Sequence, residues 1–91
     1  MARFNFVKDP NARLEWLFDW TDWLEDGETI ATSTVTADDG LTVDSTSHGD
    51  SSVVAWLTGG TTGTAYRVTN HITTSDARAD DRSISVRVMD R

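Results

Sequence analysis

The sequence contains no cysteine, one proline and one lysine among its 91 residues. The lack of cysteine excludes disulfide bonds, thiolate metal ligands and a cysteine nucleophile. No apolar run approaches the roughly 20 residues that a membrane-spanning helix needs. The N-terminal residues also lack the continuous apolar core of a signal peptide. We therefore expect no membrane segment, and a protein that is kept or assembled in a cytoplasm.

Basic residues are missing from the middle of the chain. Residues 14–66 hold ten acidic side chains and no Lys or Arg, whereas the segments on either side are slightly basic. The net charge of −7 argues against nucleic-acid binding, because that binding needs many cations to displace counterions from phosphates. A partner would instead meet an acidic body with a basic N-terminal arm.

Short polar and β-branched residues dominate the remaining sequence. Ser and Thr together number 22, of which 14 are Thr, and Thr suits a half-exposed strand better than a helix. Turn signals separate short stretches of alternating polarity, and the length allows one hydrophobic core. The sequence therefore predicts a single all-β domain of six to seven short strands, arranged as a sandwich or a barrel.

Several segments carry this prediction. Residues 14–20 have every second side chain apolar, which indicates a strand, although apolar spacings of three and four leave a helix open. Residues 52–58 are apolar on both faces, which indicates a central or interface strand. The turn sequence DDG at residues 38–40 predicts a hairpin between the strands beside it. Residues 65–73 and 82–89 are predicted to form a second hairpin.

The four tryptophans are candidates for packing or for contact with a partner. Trp16 and Trp56 are predicted to be core residues, because large aromatic rings are usually buried. Trp20 and Trp23 lie among acidic residues before a glycine turn. For these two, core packing and a role as interface anchors both stay open, since Trp is common at binding hot spots.

Two polar side chains are predicted to be structural. Tyr66 follows Gly63 at the start of a strand, the position of the tyrosine corner in sandwich domains, where the hydroxyl bonds to nearby backbone. Asn70 falls on the inward face of the same strand and therefore needs hydrogen-bond partners.

The residues that could support catalysis or metal binding form no known motif. His48 is predicted in a loop and His71 on a strand face, and no nucleophile motif accompanies them. The acidic cluster does not match a calcium-binding loop and is predicted to be a solvated face; it comprises Asp19, Asp22, Glu25, Asp26 and Glu28. We expect no enzyme activity, no bound metal and no cofactor.

Residues 1–12 are predicted to form an arm on a domain of residues 13–91. Two phenylalanines stand at strand spacing with basic neighbours, before Asp9-Pro10 interrupts the pattern. Such an arm can lie on its own domain as an edge strand, or it can add to a neighbour's sheet through main-chain hydrogen bonds. The predicted protein-interface residues are Arg3, Phe4, Phe6, Lys8, Trp20 and Trp23.

Four stretches of the sequence together resemble a known family. They are KDP at residues 8–10, DWTDWL at 19–24, LTGGTTGTAYRVTNHITT at 57–74 and DRSISVRV at 81–88. The combination is similar to small tailed-phage proteins of the fibre–tail adaptor type, from about residue 8 to the end of the chain. The resemblance implies an immunoglobulin-like or fibronectin-like β-sandwich with no catalytic residues.

The resemblance also implies a role in the virion. The expected function is that of a structural adaptor, present in repeated copies and assembled in the bacterial host cytoplasm, that joins tail or fibre components. A capsid decoration or cement protein on the phage head is one alternative, and a carbohydrate-binding sandwich is another. The carbohydrate alternative requires Trp20 or Trp23 to be exposed on a flat or grooved face. The adaptor requires these residues, or Phe4 and Phe6, to be buried against a protein.

Overall fold

A computed structural model describes the backbone of residues 3–8 and the whole of residues 13–89. The described residues form seven strands and no helix, which confirms the predicted all-β fold. The strands are β1 (Arg3–Lys8), β2 (Leu14–Asp19), β3 (Ile30–Ala37), β4 (Leu41–His48), β5 (Ser52–Gly59), β6 (Ala65–Thr74) and β7 (Ala79–Val88).

The strands form two sheets that face each other as a β-sandwich. One sheet has the order β1-β7-β6-β3, and the other has the order β2-β5-β4. β1 runs parallel to β7, and the other described pairings are antiparallel. The N-terminal segment therefore lies on its own domain in this chain, as an edge strand of the four-stranded sheet. Residues 9–12, where the predicted arm ends, lie outside the described residues.

The core fills the space between the two sheets. It consists of Phe18, Trp20, Ile30, Leu41, Val53, Ala55, Leu57, Tyr66, Val68, Ile72, Ile84, Val86 and Val88. Ile84, Val86 and Val88 of β7 are all buried, as the period of two in residues 82–89 predicts, but Ser83 on the opposite face, which the same period predicts to point outward, is buried as well. β2 also follows its predicted strand pattern, since its register with β5 runs without interruption from Leu14 to Asp19. β2 is an edge strand that buries one of its faces, and a strand with one buried face needs an apolar side chain at every second position. For this reason the strand prediction for residues 14–20 is correct, and the apolar spacings of three and four do not produce a helix.

The turn at residues 38–40 has the expected tight geometry, but the predicted hairpin is wrong. Leu41 N–H donates to Asp38 O at 3.2 Å, and Gly40 has a φ of 102°. However, β3 pairs with β6 and β4 pairs with β5, so the chain crosses between sheets at this turn. Asp38 holds the end of β3 against β6, because its N–H donates to Arg67 O at 3.0 Å and its carboxylate accepts from Arg67 N–H at 2.9 Å.

The second predicted hairpin is confirmed. β6 and β7 pair from Ala65 opposite Arg87 to Thr73 opposite Ala79. β7 begins at Ala79, three residues before the predicted start. The connecting turn is closed by Thr74 N–H, which donates to Arg78 O at 2.9 Å.

Tyr66 forms the predicted tyrosine corner. Its side chain is buried, and its hydroxyl accepts a hydrogen bond from Thr61 N–H at 2.8 Å. This hydrogen bond joins Thr61 of the β5–β6 loop to Tyr66 near the start of β6. The loop, including Gly60 just before Thr61, therefore lies against the sandwich.

Gly60 lies too close to β7 to carry a side chain. Its φ is +98°, and a Cβ at this position would lie 2.5 Å from Val88 Cγ2. We expect Gly60→Ala to lower the free energy of unfolding by about 2–3 kcal/mol, because left-handed strain and an overpacked contact add together. Gly63→Ala is the control, since Gly63 has a φ of +87° with open space around it. Urea denaturation should show the larger loss at Gly60, and equal losses would contradict the steric explanation.

Candidate protein interface

Three loops meet at one end of the sandwich, which we call the acidic pole. They are residues 20–29, 49–51 and 75–78, and backbone hydrogen bonds of 2.8–2.9 Å join the first of them to each of the other two. These loops contain six acidic residues and a single basic one, Arg78. The fold thus brings six of the chain's acidic residues together at one end of the molecule.

Trp20 lies in the core beneath the acidic pole. None of its surface is exposed, and its Nε1–H donates to Asn70 Oδ1 at 2.9 Å. The alternation of β2 continues through residue 20, so the indole turns inward after Phe18. The predicted interface role does not fit Trp20 in this chain, because its side chain presents no surface to a partner.

Asn70 has the partners that its inward position required. It accepts from the Trp20 indole and donates through Nδ2 to Ser33 Oγ at 2.9 Å and to Thr34 O at 3.1 Å. Its amide therefore joins the residue that follows β2 to β3 and β6 in the interior of the sandwich. A buried amide with all of these bonds fixes the relative positions of the two sheets.

Trp23 is half-buried at the surface of the acidic pole. Its ring meets Trp20 edge-on at 5.4 Å between centroids, and the Arg78 guanidinium lies over it at 4.1 Å. Another guanidinium, that of Arg82, covers the Trp20 ring at 4.2 Å. Neither indole thus presents the free flat face that the carbohydrate-binding alternative requires.

Glu28 is buried and does not belong to a solvated face, so its predicted placement is wrong. Its carboxylate accepts from Arg78 through two guanidinium nitrogens, one of them at 2.9 Å. It also accepts from Thr74 Oγ1 at 2.5 Å and from Glu25 N–H at 2.9 Å. Hydrogen bonding to Arg78 is the main cause that lowers the pKa of Glu28 to about 2. This ion pair anchors the first loop of the acidic pole to the last.

The histidines and the remaining acids do not form a metal-binding cluster among the described residues. Within residues 3–8 and 13–89, no three His, Cys, Asp or Glu side chains are grouped so that they could hold a metal ion. His71 contacts Asp81 on an exposed strand surface, as its predicted strand position implies. His48 is exposed at the end of β4, whereas the sequence had indicated a loop.

The backbone of the arm residues Arg3–Lys8 pairs with β7. The register of β1 and β7 places Phe4 opposite Ile84 and Phe6 opposite Val86, between Arg3 at one end and Lys8 at the other. The side chains of these four residues lie outside the described part of the structure, so their predicted contacts stay a prediction.

The outer face of the three-stranded sheet carries an apolar patch that the sequence indicated only in part. Leu17 of β2 lies opposite Val54 of β5, and 51% of Leu17 is exposed. Trp56 shares this face under the Arg13 guanidinium, 4.2 Å from the ring centroid. Its predicted core position is wrong, because the neighbouring positions of β5 already fill the inward face with Val53, Ala55 and Leu57. Trp16 is half-buried and packs against the core.

Comparison with known families gives a match that covers most of the chain. The family model described as podophage GP4 fiber-tail adaptor protein gp77 matches residues 8–87. The chain belongs to this family. The match confirms the resemblance found in the sequence motifs and spans the adaptor sandwich from the end of β1 almost to the end of β7. A comparison with curated protein sequences gives no significant match.

This adaptor-family chain has a cavity between the edge of β2 and the first half of β7. Its volume is about 160 Å³. The described residues that line it are Trp16, Leu17, Phe18, Asp19, Arg82, Ser83 and Ile84. The described part of the chain contains no helix with the length and apolar character that a membrane crossing requires.

Proposed function

We propose that this chain is a non-enzymatic structural protein of the phage virion that joins tail or fibre components through protein–protein contacts. The observation that carries the proposal is the family match over most of the sandwich, because that family is described as a fibre–tail adaptor. A capsid decoration protein would use the same kind of contact, but the family description favours the tail. Assembly in the host cytoplasm and a final place in the virion follow from this role.

We infer that the sandwich is of the immunoglobulin type. The order β2-β5-β4 against β3-β6-β7 corresponds to the B-E-D and C-F-G strands of that fold. The tyrosine corner at Tyr66 also supports the assignment. In this chain the first strand lies beside the last one, which leaves β2 as an edge.

We further propose that copies of the chain contact one another through residues 1–12. β1 is a terminal edge strand, and β7 is its one partner among the described strands. If β1 detached from its own domain, only the hydrogen bonds between β1 and β7 would be lost among the described strand pairings. Pairing of β1 with the sheet of another copy would form new main-chain hydrogen bonds in their place. Arg3, Phe4, Phe6 and Lys8 would form this contact, and Trp23 is a candidate contact at the acidic pole. Trp20 is left out because it is buried.

Sedimentation of the purified chain tests assembly through the arm. We expect the full-length protein to sediment as an oligomer at micromolar concentration and a chain lacking residues 1–12 to sediment as a monomer. Circular dichroism must show that the truncated chain is folded. Phe4→Ser/Phe6→Ser in the full-length chain is a second variant that removes the aromatic rings and keeps the backbone. Folded monomers for the full-length chain would contradict assembly through the arm.

A further inference from the structure

We propose that the free edge of β2 is the site that receives residues Arg3–Lys8 of a second copy of this chain. The inference rests on the proposed assembly through the arm and names the surface to which the arm binds.

Apart from the arm strand β1 itself, β2 is the one edge strand among the described residues whose register has no shift. It pairs with β5 on one side and with no described strand on the other. A second edge strand, β4, has a register shift between Val43 and Ser45, and β3 has one between Ile30 and Thr32. Such bulges interrupt further pairing and protect an edge. β2 has no shift over its six residues, and β1 has the same length, so the two strands can pair along their whole length.

The cavity beside β2 has the size of an aromatic ring. It lies between Trp16 and Phe18 of β2 and Ile84 of β7, with a volume of about 160 Å³. An apolar protein cavity of roughly 150 Å³ holds a benzene molecule. A phenyl ring from Phe4 or Phe6 of an added strand would therefore fill it. Leu17, which is half exposed at the rim of the cavity, would be covered by the same strand.

The charges of the two strands are complementary. Residues 3–8 carry Arg3 and Lys8 with no acid, whereas residues 14–19 carry Glu15 and Asp19 with no base. Opposite charges on neighbouring strands stabilise their pairing, and like charges weaken it. The same pattern therefore favours the arm over a second β2 strand as the occupant of this edge.

Exchange of the arm also suits a repeated assembly. On its own domain β1 forms a parallel ladder with β7. Antiparallel pairing of β1 with β2 of another copy would replace that ladder, and antiparallel pairing is slightly more stable per residue than parallel pairing. The contact joins two different surfaces, the arm of one copy and the β2 edge of the next. Contacts of this head-to-tail kind generate rings when the rotation between copies closes.

Disulfide trapping tests the site directly, because the chain has no cysteine of its own. Chains with Asn5→Cys are refolded together with chains that carry Leu17→Cys, Glu15→Cys or Asp19→Cys, then oxidised. Paired strands bring Cα atoms within the range that a disulfide spans. We expect a cross-linked dimer with at least one of the β2 variants. Ser47→Cys on the exposed edge strand β4 is the matched control and should give none.

The same experiment tests whether the arm of one copy binds instead to β7 of another copy. Asn5 lies opposite Ser85 in β7, so a cross-link to Ser85→Cys chains without one to β2 would show exchange onto β7. That result would overturn the β2 site and retain assembly through the arm. An oligomer that requires the arm but gives no β2 cross-link would also overturn the site. A protein that sediments as a monomer would instead refute the proposed assembly.

Charge reversal gives a second readout without cysteines. We expect Glu15→Lys/Asp19→Lys to weaken association at least tenfold in sedimentation. Mixing these chains with Arg3→Glu/Lys8→Glu chains should restore it, because the reversed edge then meets a reversed arm. Association that is unchanged by the β2 reversal would overturn the site.

Discussion

Trp20→Ala is expected to lower the free energy of unfolding by about 3–5 kcal/mol, the range for deleting a large aromatic side chain from a core. Trp20 has the largest volume of the fully buried side chains in the described residues. It packs edge-on against Trp23 at the acidic pole. Domains of this kind have a total stability of about 5–15 kcal/mol, so the expected loss is a large share of the free energy of unfolding. Urea denaturation followed by far-ultraviolet circular dichroism measures the change without relying on tryptophan fluorescence.

Trp20→Phe separates the hydrogen bond from the packing. Phenylalanine retains most of the apolar ring, but it leaves Asn70 Oδ1 without the indole donor that now lies 2.9 Å away. An unsatisfied buried acceptor costs about 1–3 kcal/mol, which adds to the small loss of volume. Trp56→Phe is the matched control, because Trp56 lies on the outer face under Arg13 and should lose less than about 1 kcal/mol. Equal losses at the two positions would contradict the assigned role of Asn70.

The contrast between these two tryptophans shows what a local pattern can predict. In an extended conformation, every second residue of 14–20 lies on one apolar face. Trp20 belongs to that face, so its inward direction can be predicted once the segment is known to be a strand. Residues 52–58 are apolar on both faces, and parity alone does not say which face is inward. Trp56 is excluded from the core only because Val53, Ala55 and Leu57 already occupy it, which depends on the opposite sheet.

Partners distant in the sequence explain the other differences. The DDG turn encodes a tight reversal, but the strand that pairs with β3 is the distant β6. Asp38 at the end of β3 bonds to Arg67, which lies 29 residues later in the sequence. Glu28 resembles its acidic neighbours in the sequence. Its burial depends on Arg78, 50 residues later, and no local signal marks that pair. The motifs shared with the adaptor family did identify the family, because a combination of short motifs does not require knowledge of strand pairing.

Acid is expected to destabilise the wild-type chain through protonation of Glu28. The pKa of this carboxyl is lowered in the folded protein from 4.5 to about 2, chiefly by the Arg78 hydrogen bonds. The unfolded chain therefore binds the proton more tightly, and protonation favours unfolding. The stabilising contribution is fully present above a pH of about 4.5 and is lost as the pH falls towards 2. The free energy of unfolding, measured by urea denaturation at each pH, should fall across this window.

Glu28→Gln identifies the carboxylate that causes this fall. The variant should be less stable than the wild type at pH 7, because a neutral amide loses the charge-assisted bonds to Arg78. Its stability should also depend less on pH between 4.5 and 2, since the group with the lowered pKa is gone. Asp22→Asn makes the same charge change at an exposed residue of the acidic pole and should keep the wild-type profile. Because the Glu28–Arg78 pair joins two loops of the acidic pole, a profile for Glu28→Gln with the wild-type slope would show that another contact holds this end together.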